Sequence, residues 1–79
     1  MYIFISNLHP FTKQHTLLDI FQKFGVVTSI HLLFDLEGKF LGQGWIKMEK
    51  DEDATLAVNT LNTSVLMNRF IALYTLQQL

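Results

Sequence analysis

The spacing of apolar and polar positions along the chain changes period several times, and each change marks an element. Residues 2–6 read Tyr-Ile-Phe-Ile-Ser, β-branched or aromatic almost throughout, as a strand requires. Strand side chains point to alternate faces, so Ile3 and Ile5 share one face while Tyr2, Phe4 and Ser6 share the other. Asn7-Leu8-His9-Pro10 breaks the pattern, because proline cannot continue a paired strand. From Leu17 the period lengthens. Leu17, Ile20, Phe21 and Phe24 stand at helical spacing, and Gly25 follows as a C-terminal stop. Thr12 as an N-cap, or Thr16 with Asp19 as a capping box, would open this helix.

A second strand runs over 27–34, with Ile30 and Leu32 on one face and His31 and Leu33 on the other. Asp35-Leu36-Glu37-Gly38-Lys39 is turn-rich and short enough for a hairpin into a strand over 41–48. In that strand Ile46 and Met48 share one face and Gln43, Trp45 and Lys47 the other. The pattern sets an indole between a polar and a cationic side chain, and Gly42 and Gly44 are expected to keep that surface low for a ligand. Asp51, Glu52 and Asp53 then stand at the start of a second helix, where the helix dipole favours carboxylates. Its apolar stripe is Ala54, Ala57, Val58 and Leu61, closed by Asn62-Thr63-Ser64. Positions 69–76 read as one last strand, Ile71 and Leu73 alternating with Ala72 and Tyr74.

The order β-α-β-β-α-β predicts the α+β, ferredoxin-like arrangement. Four antiparallel strands form one sheet, the first and third are central, and both helices lie on one face. The helices should cover Ile3, Ile5, Ile30, Leu32, Ile46, Met48, Ile71 and Leu73. Tyr2, Phe4, His31, Leu33, Gln43, Trp45, Lys47 and Tyr74 fall on the other face, for which the fold supplies no third layer. Aromatic residues left open in this way mark an interaction surface.

Composition narrows the chemistry. Seventy-nine residues, 49% of them apolar, make one domain spanning 1–79, near the small end of what folds unaided. Without cysteine there is no disulfide framework and no thiolate metal site, and His9, His15 and His31 are too scattered to hold zinc. Apolar runs are too short to span a bilayer and no leader pattern opens the chain, so an intracellular protein, cytoplasmic or nuclear, with no membrane partner is expected. No nucleophile–base motif and no phosphate-cradling glycine loop is present, which argues against an enzyme, a cofactor or a small-molecule substrate. The acidic cluster at 51–53 reads as helix capping. A net charge of −1 does not by itself announce a nucleic-acid binder.

Two motifs add to this reading. Ile3-Phe4-Ile5-Ser6-Asn7-Leu8 on the first strand, with Leu41 to Met48 on the third, resembles the pair of ribonucleoprotein motifs of the RNA recognition motif family. The hexamer agrees by residue type at every position. The octamer departs from the family pattern at Leu41, where a basic residue is usual, at Gln43, where an aromatic is usual, and at Met48. The motif spacing, both helix faces, Phe24-Gly25 and the closing Asn68-Arg69 turn also resemble the family, over nearly the whole chain. Asn68 stands where glycine is common, and asparagine tolerates a left-handed backbone well.

The resemblance implies binding of single-stranded RNA across the open sheet, bases stacking on aromatics of the central strands. Phe4 and Trp45 would be the stacking platforms, extended by Tyr74 and His31. Lys47, Lys39 and Arg69 would contact phosphate, and Gln43 would hydrogen-bond a base edge instead of stacking. With Leu41 and Gln43 in place, the expected binding is weak and of limited sequence choice. The alternative is a degenerate motif whose surface serves as a protein–protein interaction module.

Overall fold

The computed structural model describes residues 1–77, and its elements follow the expected order with one addition. They are β1 (Tyr2–Ser6), α1 (Gln14–Phe21), β2 (Val27–Phe34), β3 (Phe40–Met48), α2 (Asp51–Leu61), β4 (Val65–Leu66), β5 (Arg69–Phe70) and β6 (Ala72–Leu76). Strands β2, β3, β1 and β6 form one sheet in that order, with β1 and β3 central and every pairing antiparallel.

One face of this sheet makes the core. Ile3, Ile5, Ile46, Met48, Ile71 and Leu73 are buried there with Leu17 and Phe21 of α1 and Ala54 and Ala57 of α2. Ile30, Leu32, Phe24, Val58 and Leu61 pack around them, partly buried. Each large aliphatic or aromatic side chain removed from water contributes roughly 1.5–3 kcal/mol. The small alanines of α2 let that helix lie close to the sheet.

Four local expectations are corrected. Neither Thr12 nor Thr16 caps α1: its N-cap is Lys13, which makes no side-chain capping bond. Thr12 is buried instead, its hydroxyl 3.8 Å from the sulfur of Met67. The helix also closes at Phe21 rather than Phe24, and Phe24 reaches the core from the following turn, its N–H donating to the Phe21 carbonyl.

The single strand expected over 69–76 is in fact divided at Ile71 into β5, which pairs with β4 in a short hairpin, and β6. Met67 and Asn68 turn the chain between β4 and β5 with φ of 52° and 66°. Positive φ at both central residues is the turn that matches strand twist. Asn68 takes the left-handed conformation as its residue type allows.

Gly42 and Gly44 do not lower the open face. They share the helix-side parity of Ile46 and Met48, and a Cβ on Gly44 would lie 2.6 Å from the His31 carbonyl oxygen of β2. A Cβ on Gly42, whose φ is +72°, would meet the Leu8 carbonyl oxygen at 3.0 Å. Both glycines admit neighbouring backbone, not a ligand.

Candidate nucleic-acid interface

Strand register places the aromatic residues. Phe4 pairs with Trp45 across β1–β3, Trp45 with His31 across β3–β2, and Phe4 with Tyr74 across β1–β6. His31, Trp45, Phe4 and Tyr74 therefore form one transverse row over all four strands, on the face opposite the core. A second row beside it holds Ser29, Lys47, Tyr2 and Leu76. Tyr74 is 52% exposed, His31 and Lys47 are exposed, and Phe4, Trp45, Tyr2 and Gln43 are half-buried. No described element covers this face.

The rings touch one another. His31 stacks on Trp45 with centroids 4.3 Å apart and planes at 27°. Tyr2 meets Trp45 edge-on at 5.1 Å and 76°. Phe4 and Tyr74 lie 5.2 Å apart, tilted by 35°. The ammonium of Lys47 sits 5.4 Å from the centre of the Tyr2 ring, within cation–π range.

The polar candidates are more spread out. Gln43 lies one step along β3 from Trp45 on the same face. The Arg69 guanidinium donates to Asn7 Oδ1 at 3.1 Å, while the Asn7 amide donates to the Phe70 carbonyl at 2.8 Å. These bonds hold the β4–β5 hairpin against the end of β1 and set Arg69 at the rim of the sheet. Lys39 lies in the β2–β3 loop, whose shape is fixed by the Asp35 carboxylate accepting from the N–H groups of Glu37 and Lys39 at 2.9 Å each. Lys39 is six residue steps from Trp45, about 20 Å at the usual strand rise. The row thus gathers four of the candidates, with Lys47 and Gln43 beside it. Arg69 and Lys39 stand apart.

Tyr2 and Ser29 were not among the sequence candidates. Alternation alone put Tyr2 on the correct face, but only the cross-strand register shows it against Trp45 and Lys47. Ser29 keeps the alternation of His31 and so shares its face, while the extra residue between Val27 and Ser29 turns Val27 toward the core instead.

The family profile described as RNA recognition motif matches residues 3–72. The chain belongs to the RNA recognition motif family. Among relatives of this RNA recognition motif, the cytoplasmic and nuclear polyadenylate-binding protein of Candida glabrata is 41% identical over 64 residues, 81% of the chain and 11% of the relative. Polyadenylate-binding protein 7 of Arabidopsis thaliana is 30% identical over 69 residues, 87% of the chain and again 11% of the relative. The motif thus spans about a tenth of the length of these curated relatives. Among solved structures, that of the RNA-binding protein PG1 superposes with a TM-score of 0.92 at 26% identity, over 99% of this chain and 95% of the other.

Proposed function

We propose that this RNA recognition motif binds single-stranded RNA on the open face of its sheet, with bases stacking on the row that contains Phe4, Trp45 and Tyr74. The observation that carries the reading is the register itself, which lines up aromatic residues from all four strands on a face that no described element covers. Aromatic platforms accept any base, since every base has a π-face. Lys47 offers a phosphate contact beside the row and Arg69 one at its rim, and Lys39 would meet only a strand running out along the hairpin. His31 closes the row on β2. With one cation next to the rings and Gln43 where a third central ring is usual, the binding is weak and sequence-tolerant, and Gln43 adds a hydrogen bond to a base edge. The relatives' names support RNA as the ligand class.

A protein partner is the second reading, favoured by one observation. The β2–β3 hairpin exposes Phe34 at 55%, Leu41 at 51% and Leu36 fully, an apolar tip where the family usually carries a basic residue. An NMR titration with oligoadenylate, oligouridylate and a mixed-sequence octamer separates the two. Shifts along the His31–Trp45–Phe4–Tyr74 row, lost in Trp45→Ala with the fold intact, are the expected result. Absence of any shift on the sheet would transfer the surface to a protein partner.

A further inference from the structure

The stacking of His31 on Trp45 bears on how a base reaches the indole. At 4.3 Å and 27° the imidazole occupies one face of Trp45 as a stacked base would. Tyr2 borders the indole from β1 at 76°, so the ring is flanked from both neighbouring strands. His31 lies on β2, an edge strand with no further strand beyond it among the described residues, and it is exposed. Its ring therefore has solvent to turn into. Tyr2 has no such freedom, because β1 is central and Lys47 lies over its ring.

We propose that His31 is a removable cover on Trp45: it holds the indole face in the free protein and must turn outward over the β2 edge before a base can stack there. The proposal rests on the RNA-binding reading and names the residue that sets its strength. Because the imidazole competes with the base for one surface, His31 lowers RNA affinity instead of adding to it. The loss equals the free energy of the ring pair, which for aromatic pairs corresponds to about a 2- to 10-fold effect on binding.

Trp45 is the only tryptophan, so its emission reports directly on what lies over it. Wild type, His31→Ala, Trp45→Ala and the double variant are titrated with oligoadenylate and oligouridylate octamers, with thermal melts confirming the fold. His31→Thr, which cannot stack yet suits a strand, serves as a second uncovering variant. Both uncovering variants should bind about 2- to 10-fold more tightly than wild type, and their free-state Trp45 emission should be more open to quenching by acrylamide. The gain should vanish in the Trp45→Ala background, which a purely structural role for His31 would not produce. Weaker or unchanged binding in both His31 variants, while Trp45→Ala still weakens binding, overturns the cover and leaves the RNA reading standing. If Trp45→Ala and Phe4→Ala both leave binding unchanged, the RNA reading of the sheet fails, and the cover with it.

Discussion

Gly44→Ala separates two explanations of the paired glycines in β3. If they serve ligand approach, an added methyl group should weaken RNA binding and leave stability alone. In this structure the methyl group would point to the helix side, 2.6 Å from the His31 carbonyl oxygen and 3.4 Å from both the Cα and a methyl group of Leu32. Two of these three contacts are backbone, so β2 and β3 must part or shear, at a cost of about 1–3 kcal/mol by analogy with overpacked cores. Against this stands a gain of about 0.4–1 kcal/mol, because alanine restricts the unfolded chain more than glycine does and φ at Gly44 is not positive. The two ranges leave a net loss of roughly 0–2.6 kcal/mol, about 1.3 kcal/mol at their midpoints. For a domain of this size the midpoint loss lowers the melting temperature by about 5–10 °C. The assay is a reversible thermal melt by circular dichroism, with urea unfolding to confirm an unchanged m-value. A variant that melts at or above wild type would mean that the β2–β3 approach does not need glycine.

Two further predictions concern the sheet as an RNA surface. If the sheet is the RNA surface, Lys47 beside the row, Arg69 at the rim and the distant Lys39 would neutralise one to three phosphates, which at about −0.7 per contact gives a log–log salt slope of roughly −0.7 to −2. Affinity measured by fluorescence anisotropy between low and physiological salt checks this, and a slope steeper than about −4 would place the main contacts elsewhere. Gln43→Phe adds a ring one step along β3 from Trp45 and should tighten binding about tenfold or more, since stacking one base contributes about 1–3 kcal/mol. Equal affinity for the variant and wild type by the same assay would show that bases do not reach the Gln43 side of the row.

The fold was legible in the sequence because its signals are periodic and local. Ile3 and Ile5, Ile46 and Met48, and Ile71 and Leu73 alternate without a break, so each pair declares its buried face. What escaped depends on contacts between distant segments. The cap of α1 could not be read from Thr12, because burial against Met67, 55 residues away in sequence, decides what that hydroxyl does. The β4–β5 hairpin was hidden because two-residue strands carry too few side chains to show a period. The glycines were misread because a missing side chain has no evident face until the parity of Ile46 and Met48 is carried back along β3. The membership of the aromatic row was readable, but its internal stacking was not, since ring orientation follows from the register and packing of four strands together.

The net charge of −1 misrepresents the site, and the structure gives the reason. All seven carboxylates lie off the open-face rows: Asp19 on α1, Asp35 and Glu37 in the β2–β3 loop, Glu49 just after β3, and Asp51, Glu52 and Asp53 in the first turn of α2. The two rows carry Lys47 and His31 and no acid. Field strength falls off over about 8–10 Å at physiological salt, so a nucleic acid lying on the sheet responds mainly to the charges beside it. Among the α2 carboxylates, Asp51 is paired at 3.0 Å with the N-terminal ammonium of Met1. The whole-chain number thus averages acids carried on the helices and loops with open-face rows that hold Lys47, several rings and no acid. Such a face draws its affinity chiefly from stacking, so changes to the rings should move binding more than changes to any one lysine.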